Sequence, residues 1–490
     1  MFRDELIAFS CVLALAACGP IAGDSTGSSS TDASAGSTTT GEPTSTGVQP
    51  TTGEATSTTG EPTTLTSTTE ASTTTGEPGL CDVVQGDHAA ACREPDCAIT
   101  VDLEIRCQDG GLGVPGMGVA AAPDATWLVT ASWNEALLFR ADADGAESIG
   151  GVIDAYPGKQ FQMTLGPDGA PHIVVDATAI PNYTDGLRHL GLVGGSWTDT
   201  LVTDGEQYVP AFDVKVDSAG RPHVFFDGPK NADYAAAVRE GETWTTHDIA
   251  SAGSWARFVL GPDDQEIALG VADDHLHALV DGEAVPLGSS LPLTVRYQAA
   301  SAPVGPTIAA ALQLGDALEV AWGPNGGAAG IAGTAPVGNP CGSIDADGPD
   351  ATCPGPCQDD SVGMQPEAFS FARTADGVGW LAWVVTHRDV ASHYELGQIE
   401  GDYFCVGQVD SDATTGVLHL ARVPLGAGAP TEVLVLPVAD VVPSGPPQGG
   451  PRLSAVTLEA FDRDLALALR LRDDVDSYIR VIRLDTLALP

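Results

Sequence analysis

A short polar turn set between two apolar, alternating runs recurs along this chain, and it restricts what the chain can fold into. In Val216-Asp-Ser-Ala-Gly-Arg-Pro-His-Val-Phe-Phe-Asp227 the Asp and Gly supply a tight reversal, the Pro fixes φ ahead of the next run, and an apolar segment follows. Leu165-Gly-Pro-Asp-Gly-Ala-Pro-His-Ile-Val-Val-Asp176 repeats it, with Pro171-His172 falling on Pro222-His223 at an offset of 51 residues. Leu260-Gly-Pro-Asp263 repeats the turn and leads into Glu266-Ile-Ala-Leu-Gly270. Degraded copies run from Ala122 to Thr130, Gly315 to Trp322, Ala375 to Trp383 and Phe461 to Leu469.

This spacing fits units of about four short strands, and about seven turns predict an all-β propeller of six to eight four-stranded blades, best seven, over residues 118–490. The 58 glycines, 35 prolines and 43% hydrophobic residues suit many strands and turns rather than long helices. Residues 81–117 read as a disulfide-stapled lead-in, and a cysteine-rich insertion lies at about 335–365. Within the lead-in, Ile99-Thr-Val-Asp-Leu-Glu-Ile105 alternates as a half-buried strand does. Because a closed ring needs its first and last units joined, that strand is the candidate for completing the final sheet. Trp197 in Gly194-Gly-Ser-Trp-Thr and Trp244 in Gly241-Glu-Thr-Trp-Thr recur at one repeat position and are expected to pack between adjacent sheets.

The pattern Asp-x-x-Gly-x-Pro-His-Val-x-x-x-Asp followed by Gly-x-Trp resembles repeats of secreted bacterial β-propellers related to sialidase-type six-bladed folds. The resemblance implies a fold rather than an activity. The chain has no Asp-box of the Ser-x-Asp-x-Gly-x-x-Trp type, and its arginines assign no triad that would clasp a sialic-acid carboxylate.

The first 17 residues read as a lipoprotein signal peptide. Leu6 to Leu15 is a short apolar run, and Leu15-Ala-Ala-Cys18 resembles the bacterial lipobox, although Asp4 and Glu5 follow Arg3. Lipidation of Cys18 would anchor the chain to a membrane of the cell envelope, at the outer membrane or cell surface, with a periplasmic face as the other placement. Residues 18–80 form a Ser/Thr/Gly/Glu/Pro tether with recurring Thr-Gly-Glu-Pro, too poor in large apolar residues to order itself and open to O-glycosylation. Its reach is roughly 45 Å. The chain carries 66 acidic and 21 basic side chains, a net −45. Only nine of those acids and one of those bases precede Cys81, so the acidity belongs to the folded region. Such a surface repels phosphate backbones and excludes nucleic acid as a partner.

Ten cysteines agree with export. Cys11 falls in the signal and Cys18 at the lipid site, which leaves two local sets, Cys81, Cys92, Cys97 and Cys107, then Cys341, Cys353, Cys357 and Cys405. Disulfides are expected within each set, with the pairing open; a zinc site at Cys353-Pro-Gly-Pro-Cys357 is the rival reading. His172 and His223, at equivalent positions, are expected to secure the turn. Asp273-Asp-His275-Leu-His277 would place two imidazoles on one strand face, where a metal could bridge them. Asp345, Asp347 and Asp350 offer oxygens for calcium, with Asp359 and Asp360 nearby, but complete no calcium-loop signature and imply no obligatory cofactor. The loops after the second strand of each unit converge on the ring's face and supply the candidate ligand-binding residues Asn182, Tyr183, Asp185, Lys230, Asn231, Asp233, His387, Arg388 and His393. No Gly-x-Ser-x-Gly, His-Glu-x-x-His or phosphate-cradling loop occurs, so no catalytic residue is assigned. The expected function is non-catalytic binding of a protein or glycan partner. The alternative is a polysaccharide hydrolase or lyase, which two carboxylates facing each other across the channel would favour.

Overall fold

The computed structural model describes residues 81–489 except 87–97, 108–116, 155–160, 177–185, 204–211, 228–233, 291–295, 333–340, 442–455 and shorter breaks between strands. The signal peptide, Cys18, the tether, Cys92 and Cys97 lie outside the described residues. Those residues form seven antiparallel sheets and no helix. Sheet I comprises Met117–Ala121, Thr126–Ala131, Glu135–Asp142 and Gly145–Asp154. Sheet II comprises Phe161–Leu165, Pro171–Asp176, Leu187–Val193 and Ser196–Leu201, and sheet III Phe212–Val216, Pro222–Asp227, Tyr234–Glu240 and Thr243–Ile249. Sheet IV comprises Ser254–Leu260, Glu266–Ala272, His275–Val280 and Glu283–Ser290, and sheet V Arg296–Ser301, Ile308–Leu314, Ala317–Gly323 and Ala328–Ala332. Sheet VI has Cys357–Arg373, Gly379–Ile399, Asp402–Val423 and Thr431–Val438, with the short Ile344–Ala346 on its third strand. Sheet VII has Val456–Phe461, Asp464–Arg472 and Ser477–Asp485, with Asp440–Val441 beside the second of these.

Each first strand touches the first strand of the next sheet, from I through VII and back to I, so the sheets close into a propeller-like ring. Closure joins distant parts of the chain. Ile99–Cys107 pairs with Ser477–Asp485, Leu103 opposite Val481, and carries Cys81–Gln85 on its outer edge. An ion pair fastens this joint: Arg480 Nε and Nη2 donate to the two oxygens of Asp102 at 2.8 and 2.6 Å. Gly86 makes room for it, because a Cβ there would stand 2.5 Å from Asp102 Oδ1.

The recurring turn has one geometry. Its first residue donates its amide across the turn to the carbonyl four residues on, as in Gly166 to Ala170, Asp217 to Arg221, Gly261 to Gln265 and Thr374 to Val378. The fourth residue donates back to the first and adopts positive φ: +79° at Gly169, +80° at Gly220 and +86° at Gly377. Sheet IV puts Asp264 at this left-handed position, with φ 60°, and its carboxylate accepts from Ser218 N and Oγ of the neighbouring turn at 2.8 and 2.5 Å. One expected repeat is displaced. Gly315 to Trp322 joins the second and third strands of sheet V, whereas the equivalent turn is 302–307, which lacks the Asp-Gly pair. Any polar break between two apolar runs imitates the motif, which explains the misplacement.

The apolar cores lie between sheets. Phe161 and Met163 pack with sheet I, Phe212 and Val214 with sheet II, and Val456 and Leu458 with sheet VI. Trp197 and Trp244 sit on fourth strands, half-buried; Trp244 donates from Nε1 to Thr200 Oγ1 of sheet II at 3.3 Å and lies edge-on to His189.

Candidate functional site in the channel

On several first strands a polar residue alternates with the core-facing ones. Gln162, Asp213, Arg257 and Ser370 each stand four positions before their turn's first residue, Gly166, Asp217, Gly261 and Thr374. Since Phe161, Phe212, Phe258 and Phe369 enter the cores, strand alternation turns these neighbours to the other face of each innermost strand. Lys215 and Glu459 follow the same rule beside Val214 and Leu458.

Asp213, Lys215 and Glu459 form one electrostatic group. Lys215 Nζ lies 3.2 Å from Asp213 Oδ1 and 3.1 Å from Oδ2, and Oδ1 also accepts the Val214 amide at 2.8 Å. Glu459 comes from sheet VII, which stands across the ring from sheet III, and its field reaches both Lys215 and Asp213. Burial pushes the Glu459 carboxyl up to about 7; Lys215 draws it down and Asp213 pushes it up. Burial opposes the charge on Lys215, but Asp213 and Glu459 outweigh it and raise the ammonium. Glu459 and the ion-paired Asp213 thus lie within each other's field on first strands from opposite sides of the ring. Two carboxyl groups in unlike environments are the arrangement that divides acid from base roles.

A second cluster sits at the turns. Buried Asp217 accepts the amides of Ala219 and Arg221 at 3.0 and 2.7 Å and pairs with Arg221 Nε at 2.6 Å. His223 Nε2 lies 3.3 Å from Asp217 Oδ2, and its Nδ1 2.7 Å from Glu266 Oε1 of sheet IV. Glu266 Oε2 then meets His247 Nε2 at 2.6 Å. His172, the repeat equivalent of His223, bonds within its own sheet instead: its Nδ1 lies 3.0 Å from Nε2 of the fully buried His189. Burial lowers both imidazoles, His189 to about 3, with His172 and Arg239 adding to the effect. Neutral rings bonded in this way serve packing.

Of the expected ligand-binding residues, Asn182, Tyr183, Asp185, Lys230, Asn231 and Asp233 lie outside the described residues. His387, Arg388 and His393 do not lie in a loop. The second strand of sheet VI runs on through Ile399, and all three sit on a strand with acidic neighbours: Asp360 at 2.9 Å from His387, Asp359 at 3.6 Å from Arg388 and Asp410 at 2.6 Å from His393. The polar run Thr386-His-Arg-Asp389 reads as a loop, yet the strand passes straight through it, paired on both sides by Cys357–Arg373 and Asp402–Val423.

The second cysteine set pairs as Cys341–Cys357 and Cys353–Cys405, which excludes zinc at Cys353 and Cys357. Cys81 is also disulfide-bonded. These bonds place the folded region in an oxidising compartment, outside the cytosol. Among the described residues no three His, Cys, Asp or Glu side chains gather as a metal site requires, Asp345, Asp347, Asp350, His275 and His277 included. No described helix is long and apolar enough to cross a membrane.

Asp213, Lys215 and Glu459 went unnoticed in the sequence because Phe-Asp-Val-Lys-Val and Val-Thr-Leu-Glu-Ala read as ordinary half-exposed strands. Counting back from each turn would have aligned them.

No known family model and no curated protein matches the chain. Among solved structures, the polysaccharide lyase Uly1 overlaps it with a TM-score of 0.36 at 9% identity, over 78% of this chain and 92% of that one. The SapL1 lectin, solved with alpha methyl fucoside, scores 0.32 at 15% identity over 49% of this chain and 95% of its own. The GH74 enzyme of Niastella koreensis scores 0.32 at 10% identity over 77% and 76%. Overlaps this partial assign the chain no activity.

Proposed function

We propose that the ring is a seven-bladed propeller whose channel cleaves a glycosidic bond of a polysaccharide, on a lipoprotein held to the cell envelope through Cys18 and the 18–80 tether. The reading rests on two acidic residues from opposite first strands that lie within each other's field, Asp213 ion-paired to Lys215 and Glu459 with its carboxyl raised to about 7 by burial. In this reaction Glu459 gives its proton to the departing glycosidic oxygen as the C–O bond breaks. Asp213 takes a proton from the attacking water, whose oxygen bonds the anomeric carbon. Replacing Glu459 with Gln is expected to lower kcat by about 10²–10⁴-fold while glycan binding survives. Wild-type turnover should fall as pH rises through about 7, since only the protonated carboxyl acts as an acid. A screen of oligosaccharide hydrolysis with both proteins checks this, and full activity in the Glu459→Gln variant sinks it. The ammonium of Lys215 on both Asp213 oxygens supports a second reading, non-catalytic capture of a glycan or protein partner. Binding without turnover of any glycan in the same screen selects that reading.

A further inference from the structure

The seams of the ring are not equally apolar. Between sheets III and IV the buried cluster among the described residues is Phe225, Ala236, Phe258 and Ala268, with the two Phe rings stacked at 4.6 Å. Nine buried apolar residues lie between sheets II and III and twelve between V and VI. Since the hydrophobic contribution scales with apolar area removed from water, polar contacts weigh most at the III–IV seam among the described residues. Those contacts are the Asp217, His223, Glu266 and His247 chain and the Ser218 bonds to Asp264.

We infer that this seam is a proton-controlled joint, closed while His223 holds a proton on both ring nitrogens and loosened when one is lost. The geometry requires two protons. Nε2 faces a carboxylate oxygen of Asp217 and Nδ1 one of Glu266, and carboxylates only accept. A neutral imidazole carries one N–H. It therefore leaves one nitrogen lone pair against a carboxylate oxygen in a buried site, a repulsive contact where the closed seam had a charge-assisted bond.

The surrounding charges are Asp217 and Arg221 from the same turn, Glu266 from the second strand of sheet IV and His247 from the fourth strand of sheet III. Asp264 of the facing turn acts through Ser218, and Glu240 stands 4.0 Å from Arg221. Burial opposes the charge on His223, but Glu266 and Asp217 outweigh it and raise its pKa. Burial opposes both carboxylates too, yet Arg221 and His223 hold Asp217 low, and His223 and His247 hold Glu266 low. A raised histidine contributes stability that is complete below its ordinary value of about 6.5 and is lost as pH rises through the raised one. The lowered carboxylates contribute above their ordinary value of about 4 and lose it below that. The joint is thus tightest in mildly acidic solution and slackens on the alkaline side. Because the first strands of both sheets carry Asp213, Lys215 and Arg257, slackening moves the channel wall, whatever the channel binds.

Hydrogen exchange of the wild-type protein at about pH 5.5 and 8.5, corrected for intrinsic exchange rates, reads this directly. Peptides from 212–227 and 254–272 are expected to open several-fold more often at the higher pH, while peptides from the V–VI seam stay level. His223→Gln should abolish the difference between the two pH values, and the exposed His247→Gln should reduce it. An equal rise at both seams, or an undiminished rise in His223→Gln, overturns the inference. The wild-type comparison decides the matter even where His223→Gln does not fold.

Discussion

Replacing Asp102 with Ala is expected to lower the unfolding free energy by about 3–5 kcal/mol, the cost of leaving a buried cation without its partner. Asp102 and Arg480 are 1% and 6% exposed, so water cannot compensate the guanidinium once the carboxylate is gone. Burial alone would weaken the charge on Arg480, and Asp102 more than reverses this. The fork of Arg480 meets both oxygens, which makes the pair rigid as well as strong. The contact joins Ile99–Cys107 to Ser477–Asp485, the pairing that closes the ring, so its loss unfastens the ring. Urea denaturation measures the effect, and a loss under about 1 kcal/mol contradicts it. Exchanging both partners together, Asp102→Leu with Arg480→Met, should recover most of the stability, because an apolar pair of similar volume avoids the desolvation cost.

Arg373→Met is expected to cost about 2–4 kcal/mol by the same denaturation, from the loss of two short charge-assisted bonds, less the relief of burying a cation. Arg373 stands on the first strand of sheet VI. Its guanidinium donates to the carbonyls of Pro306 at 2.6 Å and Val304 at 2.8 Å, in the turn of sheet V. Burial drags its pKa down to about 10, which still leaves it charged in neutral solution. This turn lacks the Asp-Gly device of its counterparts, and the arginine of the next sheet holds it from outside. Arg373→Lys should recover part of the loss, since an ammonium reaches fewer of these carbonyls than a planar fork. Wild-type stability in the Met variant would remove Arg373 from this role.

These two residues show what the sequence conceals. The repeat was legible because Asp-Gly turns and apolar alternation are local, and local pattern predicted an all-β chain of mostly four-stranded sheets and the strand that closes the ring. Arg373 contacts backbone carbonyls almost seventy residues upstream, at a sequence separation of 69 for Val304, and carbonyls carry no residue signature. The channel group failed to announce itself for a related reason. Asp213 and Glu459 become a pair only through ring closure, and each alone looks like a solvated strand residue. His223 was singled out for its repetition, and equivalence with His172 suggested a shared role. Their partners differ because the residue facing each ring belongs to a neighbouring strand: Glu266 in one case, His189 in the other.

The pairing of Ile99–Cys107 with Ser477–Asp485 also fixes an order of events in folding. Asp102 and Arg480 are 378 residues apart, so the loop they close is nearly the whole folded region, and such non-local contacts form late and slowly. An emerging chain can complete sheets I to V in turn, but Ile99–Cys107 has only Cys81–Gln85 beside it until Ser477–Asp485 has been delivered. Until then the other edge of Ile99–Cys107 is unpaired, the kind of edge that recruits other chains. Fast delivery of the last hundred residues, or a chaperone covering that edge, therefore favours the closed form.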